Sequence, residues 1–178
     1  MTDKISPGDA RRIPMIVTFL EMTAKPSALP PPQPRGKIAL LRAENPATHF
    51  YRYLYDKIGE DYCWVERRKM SEGQLRDVIQ HPKNALYVLY ADGCPAGFAE
   101  LDFRDAVKAN ISYFGMMPEF IGRRMGYFLL YHACINAWAQ PISRLTVNTC
   151  TLDHPRALPL YQRLGFTPYS REERYVEL

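Results

Sequence analysis

At 178 residues the chain is the size of one large domain, long enough to bury a core without a partner. Apolar residues at 47% and charged residues at 24% are the balance of a soluble globular protein, and no apolar stretch approaches the roughly 20 residues that cross a bilayer. The formal charge of +4 is spread along the chain in pairs such as Arg11-Arg12, Arg67-Arg68 and Arg123-Arg124, without the long basic run that favours nucleic acid.

The N-terminal Met-Thr-Asp-Lys-Ile lacks the apolar centre of a secretory signal, so a cytoplasmic location is expected. Cys63, Cys94, Cys134 and Cys150 are scattered with no Cys-x-x-Cys pair, which argues against a metal site or a disulfide framework.

Residues 1–12 are polar and read as loose. Arg12 to Thr23 is rich in Ile, Val, Phe and Met and reads as a strand. Pro26, Pro30, Pro31, Pro32 and Pro34 follow; proline lacks an amide donor and fixes φ, so this stretch reads as an extended linker. The expected organisation is an N-terminal strand and linker over 1–36, appended to a main domain over 37–178.

Within that domain Lys37 to Leu41 reads as a strand, Pro46 to Ile58 as a helix and Ser71 to about Gln80 as a second helix. Strands are predicted over Ala85–Ala91 and Pro95–Phe103, joined by an Asp92-Gly93 hairpin turn, and over Ala109–Met117. A long amphipathic helix is predicted from Gly122 to Ala139, then a strand from Arg144 to Thr151. A short helix from Pro155 to Leu164 ends at Gly165, and a last strand runs from Thr167 to Val176. The order is that of a mixed α/β chain with one strand–helix–strand crossover in its second half.

The most informative stretch runs from Ile111 to Gly126, where a strand enters a proline-marked turn, a glycine-bearing loop and a helix start. Such a turn gathers several backbone amides at the positive end of a helix, a natural seat for fused phosphates. Glycine lets the backbone come close to phosphate oxygens, and Arg123 and Arg124 add charge-assisted contacts.

A second block, His154-Pro-Arg-Ala-Leu-Pro-Leu-Tyr-Gln-Arg-Leu-Gly-Phe166, follows the strand Leu145 to Cys150. Ala157, Leu160, Tyr161, Gly165 and Phe166 fit the pattern Ala-x-x-Leu-Tyr-x-x-x-Gly-Phe, and together the two blocks resemble the GNAT superfamily of N-acetyltransferases. The resemblance covers roughly 37–178 and is most specific between Ile111 and Phe166. In the loop, Gly122, Arg123 and Gly126 fit the family form Arg/Gln-x-x-Gly-x-Gly/Ala, whereas Ile121 stands where Gln or Arg is usual and Arg124 where glycine is usual.

The resemblance implies an α/β fold of GNAT type: a mixed, mostly antiparallel central sheet splayed around the acetyl-CoA site and flanked by helices. It also implies acetyl-CoA as cosubstrate, no metal, and transfer of the acetyl group to a primary amine by direct attack. Met116, Met117, Ile121, Gly122, Arg123, Arg124, Met125, Gly126 and His154 are the implied cofactor contacts. Tyr161 is the implied general acid, because a phenol with pKa near 10 stays protonated at neutral pH and can donate to the leaving thiolate. Many relatives place a glutamate at the position of Asn110, which cannot accept a proton. Glu100, followed by Asp102, is the acidic candidate on the neighbouring strand, and Phe98, Glu100 and Asp102 share one face by alternation.

The aromatic runs Phe50–Tyr55 and Tyr62–Arg67 could enclose an acceptor or form a packed helix face. The acceptor is a small molecule or a peptide; neither nucleic acid nor membrane is an expected partner, and a homodimer is compatible with the sequence. The alternative reading is a catalytically degenerate acyl-CoA-binding sensor or interaction domain, supported by Arg124 and Asn110. A weaker one is a nucleic-acid-binding protein, suggested only by the pI of 8.9.

Overall fold

The computed structural model describes residues 12–177. The expectation of a loose segment over 1–12 therefore lies, apart from Arg12, outside the described residues. Strand β1 is Arg12–Met22 and β2 Ile38–Ala43; helices α1, Thr48–Gly59, and α2, Glu72–Ile79, come next. Strands β3 (Asn84–Ala91), β4 (Cys94–Asp102) and β5 (Lys108–Met116) lead into α3 (Met125–Ala137), β6 (Arg144–Cys150), α4 (Ala157–Leu164) and β7 (Thr167–Glu177). No helix among the described residues is long and apolar enough to cross a membrane.

Local chemistry explains most boundaries. Ser71 caps α2 in a reciprocal box, its hydroxyl accepting from the Gln74 amide while the Gln74 side chain accepts from the Ser71 amide. Asp92 and Gly93 both take left-handed φ, at 51° and 88°, as a two-residue hairpin turn requires. The predicted amphipathic helix proves apolar on nearly every side, burying Met125, Leu129, Leu130, Tyr131, Ala133, Cys134 and Ala137. It starts at Met125 and not at Gly122, so residues 121–124 remain a loop.

The strands form one seven-stranded sheet in the order β2-β3-β4-β5-β6-β1-β7, antiparallel throughout except where β5 and β6 run parallel across the α3 crossover. Its two faces carry separate cores. Helices α1 and α2 cover one with Tyr51, Leu54, Ile58 and Leu75, packed on Phe98 of β4; α3 and α4 cover the other with Leu129, Leu130, Tyr161 and Leu164. The N-terminal strand is not appended. It lies inside the sheet between β6 and β7, with Leu20 fully buried, because the proline-rich linker carries the chain from there back to the far edge at β2.

Two details of register open the site. Strands β5 and β6 pair only from Lys108↔Arg144 to Ile111↔Val147. Opposite β4, the pairing steps from Leu101↔Ile111 to Glu100↔Tyr113, which leaves Ser112 as an extra, bulged residue. A bulge bends its strand and sharpens the twist. Beyond it β5 leaves β6 and stays with β4 to Met116, while β6 continues against β1 to Cys150, so a wedge opens between the two.

Candidate active site

The wedge is the floor of a cavity of about 1780 Å³, lined by Ser112 to Met116 from β5 and by Val147, Asn148 and Cys150 from β6. The loop and helix start from Phe120 to Tyr127 wall one side, and Tyr161 with Leu152, Asp153, His154, Arg156 and Ala157 another. The proline-rich linker from Ala28 to Arg35 forms part of the rim, and Tyr62, Cys63, Trp64 and Glu66 complete the wall after α1.

At the loop end, the amides of Gly122 through Tyr127 find no acceptor among the described residues. Those of Met125, Gly126 and Tyr127 belong to the first turn of α3, where no intrahelical partner exists. Gly122 has φ of 86°, which explains that glycine. Gly126 has no such backbone need, and a Cβ there would meet only Met116 Cγ at an ordinary 3.5 Å. What its missing side chain keeps clear is the cavity it borders.

Arg123 and Arg124 lie at this end, joined by Arg156 and Arg163, which sequence reasoning missed because they belong to the segment of α4. Arg163 is anchored over the Tyr127 ring at 4.6 Å and Arg123 over Phe120 at 5.2 Å. Donor amides at a helix start, a clear approach and converging guanidinium groups suit a pyrophosphate and an adenine-nucleotide phosphate. Arg124 occupies the left-handed region with φ of 62°, the conformation that explains why a glycine would be the easier residue.

The other implied contacts divide. Met116 and Ile121 line the cavity, although the Ile121 amide bonds the Pro118 carbonyl at 3.3 Å. His154 lines it too, its Nδ1 accepting from the Arg156 amide at 3.1 Å and its ring standing edge-on to Tyr62. Met117 does not fit the part assigned to it. Its amide donates to the Ala96 carbonyl at 2.9 Å, its own carbonyl accepts from Phe120, and its side chain is buried in the core under α1.

Tyr161 stands on the α4 side of the wedge, edge-on to Phe114 at 6.0 Å and to Phe166 at 5.9 Å. It lines the cavity while only 4% exposed. Burial above all, with the Asp153 charge behind it, pushes the phenol well above its ordinary pKa. The hydroxyl is therefore protonated at neutral pH.

Glu100 is the clear correction. It is fully buried beneath α1 and absent from the cavity wall. One carboxylate oxygen takes a 2.6 Å bond from Arg67 Nη2 and the other takes the Tyr51 hydroxyl. Arg67 Nε in turn donates to Tyr51 at 3.3 Å. Burial draws the Arg67 pKa down, but Glu100 and Tyr51 raise it by more, so the guanidinium stays charged. A carboxylate spent in this way holds Arg67 and is no base for a substrate. Phe98 and Glu100 do share a face, as alternation predicts, but α1 covers it.

Asp102 is engaged by Arg104 at 2.5 Å and lies outside the cavity. Asn110 is outside it as well, below the wedge, where its side-chain oxygen accepts from Thr146 Oγ1 at 2.9 Å and helps join β5 to β6.

Among the described residues, three carboxylates line the cavity. Asp92 accepts from the Lys37 amide and Asp153 from Thr149 Oγ1 and the Cys150 amide, which ties both to the backbone. The third, Glu66, sequence reasoning missed. Its Oε2 accepts from Tyr113 at 3.2 Å and from Tyr55 at 3.4 Å. No local pattern marks it, since Tyr113 is 47 positions away.

Comparison with known proteins agrees with this geometry. Solved structures share the fold at low identity. A GCN5-related N-acetyltransferase from Kribbella flavida aligns with a TM-score of 0.63 at 14% identity, over 92% of this chain and 59% of its own. An IAA acetyltransferase from Bacillus cereus aligns with a TM-score of 0.57 at 23% identity, over 75% and 79%. An aminoglycoside acetyltransferase from an uncultured soil sample aligns with a TM-score of 0.57 at 15% identity, over 72% and 91%. The chain thus spans about three fifths of the length of the Kribbella protein, and no curated protein matches it in sequence. The Acetyltransferase (GNAT) family matches residues 51–166, a span that holds the wedge, the loop, Tyr161 and Phe166, and the chain belongs to that family.

Proposed function

We propose that the protein is an acetyl-CoA-dependent N-acetyltransferase acting on a primary amine in the cytoplasm, with Tyr161 as general acid. The observation that carries this reading is the wedge itself, with free amides and arginines at one end and a buried, protonated phenol at its side.

Acetyl-CoA, when bound, supplies a thioester whose carbonyl carbon takes the amine and whose sulfur departs. The amides from Gly122 to Tyr127 and the guanidinium groups of Arg123, Arg124, Arg156 and Arg163 would hold its phosphates. The edge of β5 freed from β6, at Ser112 to Met116, offers backbone groups to its extended arm. Tyr161 donates its hydroxyl proton toward the departing sulfur, and its burial keeps the phenol protonated until the thiolate forms beside it.

The test is Tyr161→Phe, which keeps the ring and its edge contacts to Phe114 and Phe166. Loss of a general acid costs about 100- to 10,000-fold in turnover. Acetyl-CoA affinity should barely change, because the hydroxyl acts in the transition state. Near-normal turnover in the variant would reduce Tyr161 to a packing residue.

A further inference from the structure

Glu66 stands on the α1 side of the sheet, opposite the side that presents Tyr161, and both line the same cavity. The two tyrosines that donate to its Oε2 come from separate elements, Tyr55 from α1 and Tyr113 from β5. Burial first, then the neighbouring Tyr55 and Glu66, hold Tyr113 well above the ordinary phenol range, and burial takes Tyr55 to about 12. Both therefore remain donors, and they fix the carboxylate in place.

The support beneath is unusually firm. The Tyr55 hydroxyl also accepts from the Arg67 amide at 3.2 Å, and Arg67 is locked to Glu100. Trp64, two residues before Glu66, sits in a seat cut by two glycines. A Cβ at Gly59 would come within 2.5 Å of Trp64 Cβ, and one at Gly115 within 2.3 Å of Ile58 and 3.3 Å of the indole. Cys63 turns the chain into this seat with φ of 57°. The rings of Trp64 and Tyr113 stand 5.0 Å apart, with the Arg67 guanidinium over the Tyr113 ring at 5.1 Å, and Trp64, Tyr62, Leu29 and Pro30 give the cavity that Glu66 lines an apolar part to its wall.

We propose that Glu66 binds the ammonium of the acceptor and takes its proton, and that the acceptor is a primary amine carried on an apolar body. A carboxylate held on one side by two phenol donors, in a cavity whose wall is partly apolar, attracts an ammonium by charge and leaves room for an apolar body behind it. The step balances: one N–H bond breaks and its proton passes to the Glu66 carboxylate. The nitrogen lone pair then forms the N–C bond as the C–S bond breaks, and the thiolate takes the Tyr161 proton. The second N–H proton, shed by the new amide nitrogen, passes through solvent to restore the phenol, and Glu66 returns its own proton to water. This inference rests on the acetyl-transfer reading.

Phenethylamine, hexylamine and ethanolamine serve as acceptors, with released CoA as the readout. Calorimetry of phenethylamine and of acetyl-CoA gives binding separately. Glu66→Gln should lower kcat/KM for phenethylamine on the order of 100-fold or more. It should weaken phenethylamine binding and leave acetyl-CoA binding and the melting temperature within error.

The wild-type pH profile should show an acidic limb that Glu66→Gln lacks; of the groups around the carboxylate, Tyr55 and Tyr113 stay protonated and Arg67 stays charged across that range. Tyr113→Phe, which loosens the carboxylate but keeps it, should lose less. If the wild type transfers acetyl groups and Glu66→Gln matches it in rate and pH profile, the role of Glu66 is overturned with the transferase reading intact. Ethanolamine as good as phenethylamine overturns the apolar acceptor. A wild type that binds acetyl-CoA and acetylates none of the amines overturns the acceptor class, and one that binds no acetyl-CoA overturns the reading beneath.

Discussion

Arg124 shows how one residue can be an exception to a motif and still obey its physics. The loop requires a left-handed residue where the chain turns into α3, and Arg124 supplies it at φ of 62° and ψ of 5°. For a residue with a Cβ this costs roughly 1–2 kcal/mol, against roughly 0.5–1 kcal/mol of extra unfolded-state entropy for glycine. Arg124→Gly should therefore stabilise the fold by about 0.5–1 kcal/mol in urea unfolding. If the loop holds the phosphates as proposed, the substitution should also weaken acetyl-CoA binding several-fold, as one charge lining the cavity is lost. Glu100 predicts the reverse. Removing one partner of a buried ion pair costs about 3–5 kcal/mol, so Glu100→Gln should show a large fall in denaturation midpoint. A variant as stable as the wild type would mean that Arg67 does not depend on it.

At the scale of elements, the loop and the start of α3 act together, and the glycine at their junction tests them. Gly126→Asp has room on the protein side, with Met116 Cγ at 3.5 Å, so the fold should survive. The carboxylate would face the phosphates and should weaken acetyl-CoA binding by at least tenfold in calorimetry. Unchanged affinity would remove the loop from the site. The loop and α4 were legible because their chemistry is local: a glycine turn before a helix, and an Ala-x-x-Leu-Tyr helix closed by Gly165 at φ of 109°. The base proposed here was not legible, because the bulge at Ser112 and the covering of Glu100 by α1 are properties of pairing between distant strands and helices. Alternation correctly put Phe98 and Glu100 on one face, but it could not say what lies over that face. Nor could it reveal that Glu66, in a segment without periodicity, meets Tyr113 across the sheet.

The whole molecule turns on where β1 lies. A proline-rich linker after an apolar strand reads in sequence as a boundary, yet the strand pairs with β6 from Val17↔Cys150 to Met22↔Leu145 and with β7 along its length. It holds β7 in the sheet, and it backs the strand that forms one wall of the wedge. The linker returns along the cavity rim, so N-terminal residues shape the site as well as the sheet. If β1 is integral, a cavity cut into it should cost as much as one in any central strand. Leu20 is fully buried among Met22, Leu145 and Phe166 in the core under α3 and α4. Leu20→Ala should therefore cost about 2–5 kcal/mol. The loss should appear in a single unfolding transition followed both by far-UV circular dichroism and by the fluorescence of Trp64 and Trp138, which lie on opposite faces of the sheet. Two separated transitions, or a loss below about 1 kcal/mol, would instead mark β1 as an appendage. In that case acetyl-CoA binding should survive Leu20→Ala unchanged, whereas an integral strand should transmit the cavity to β6 and weaken it.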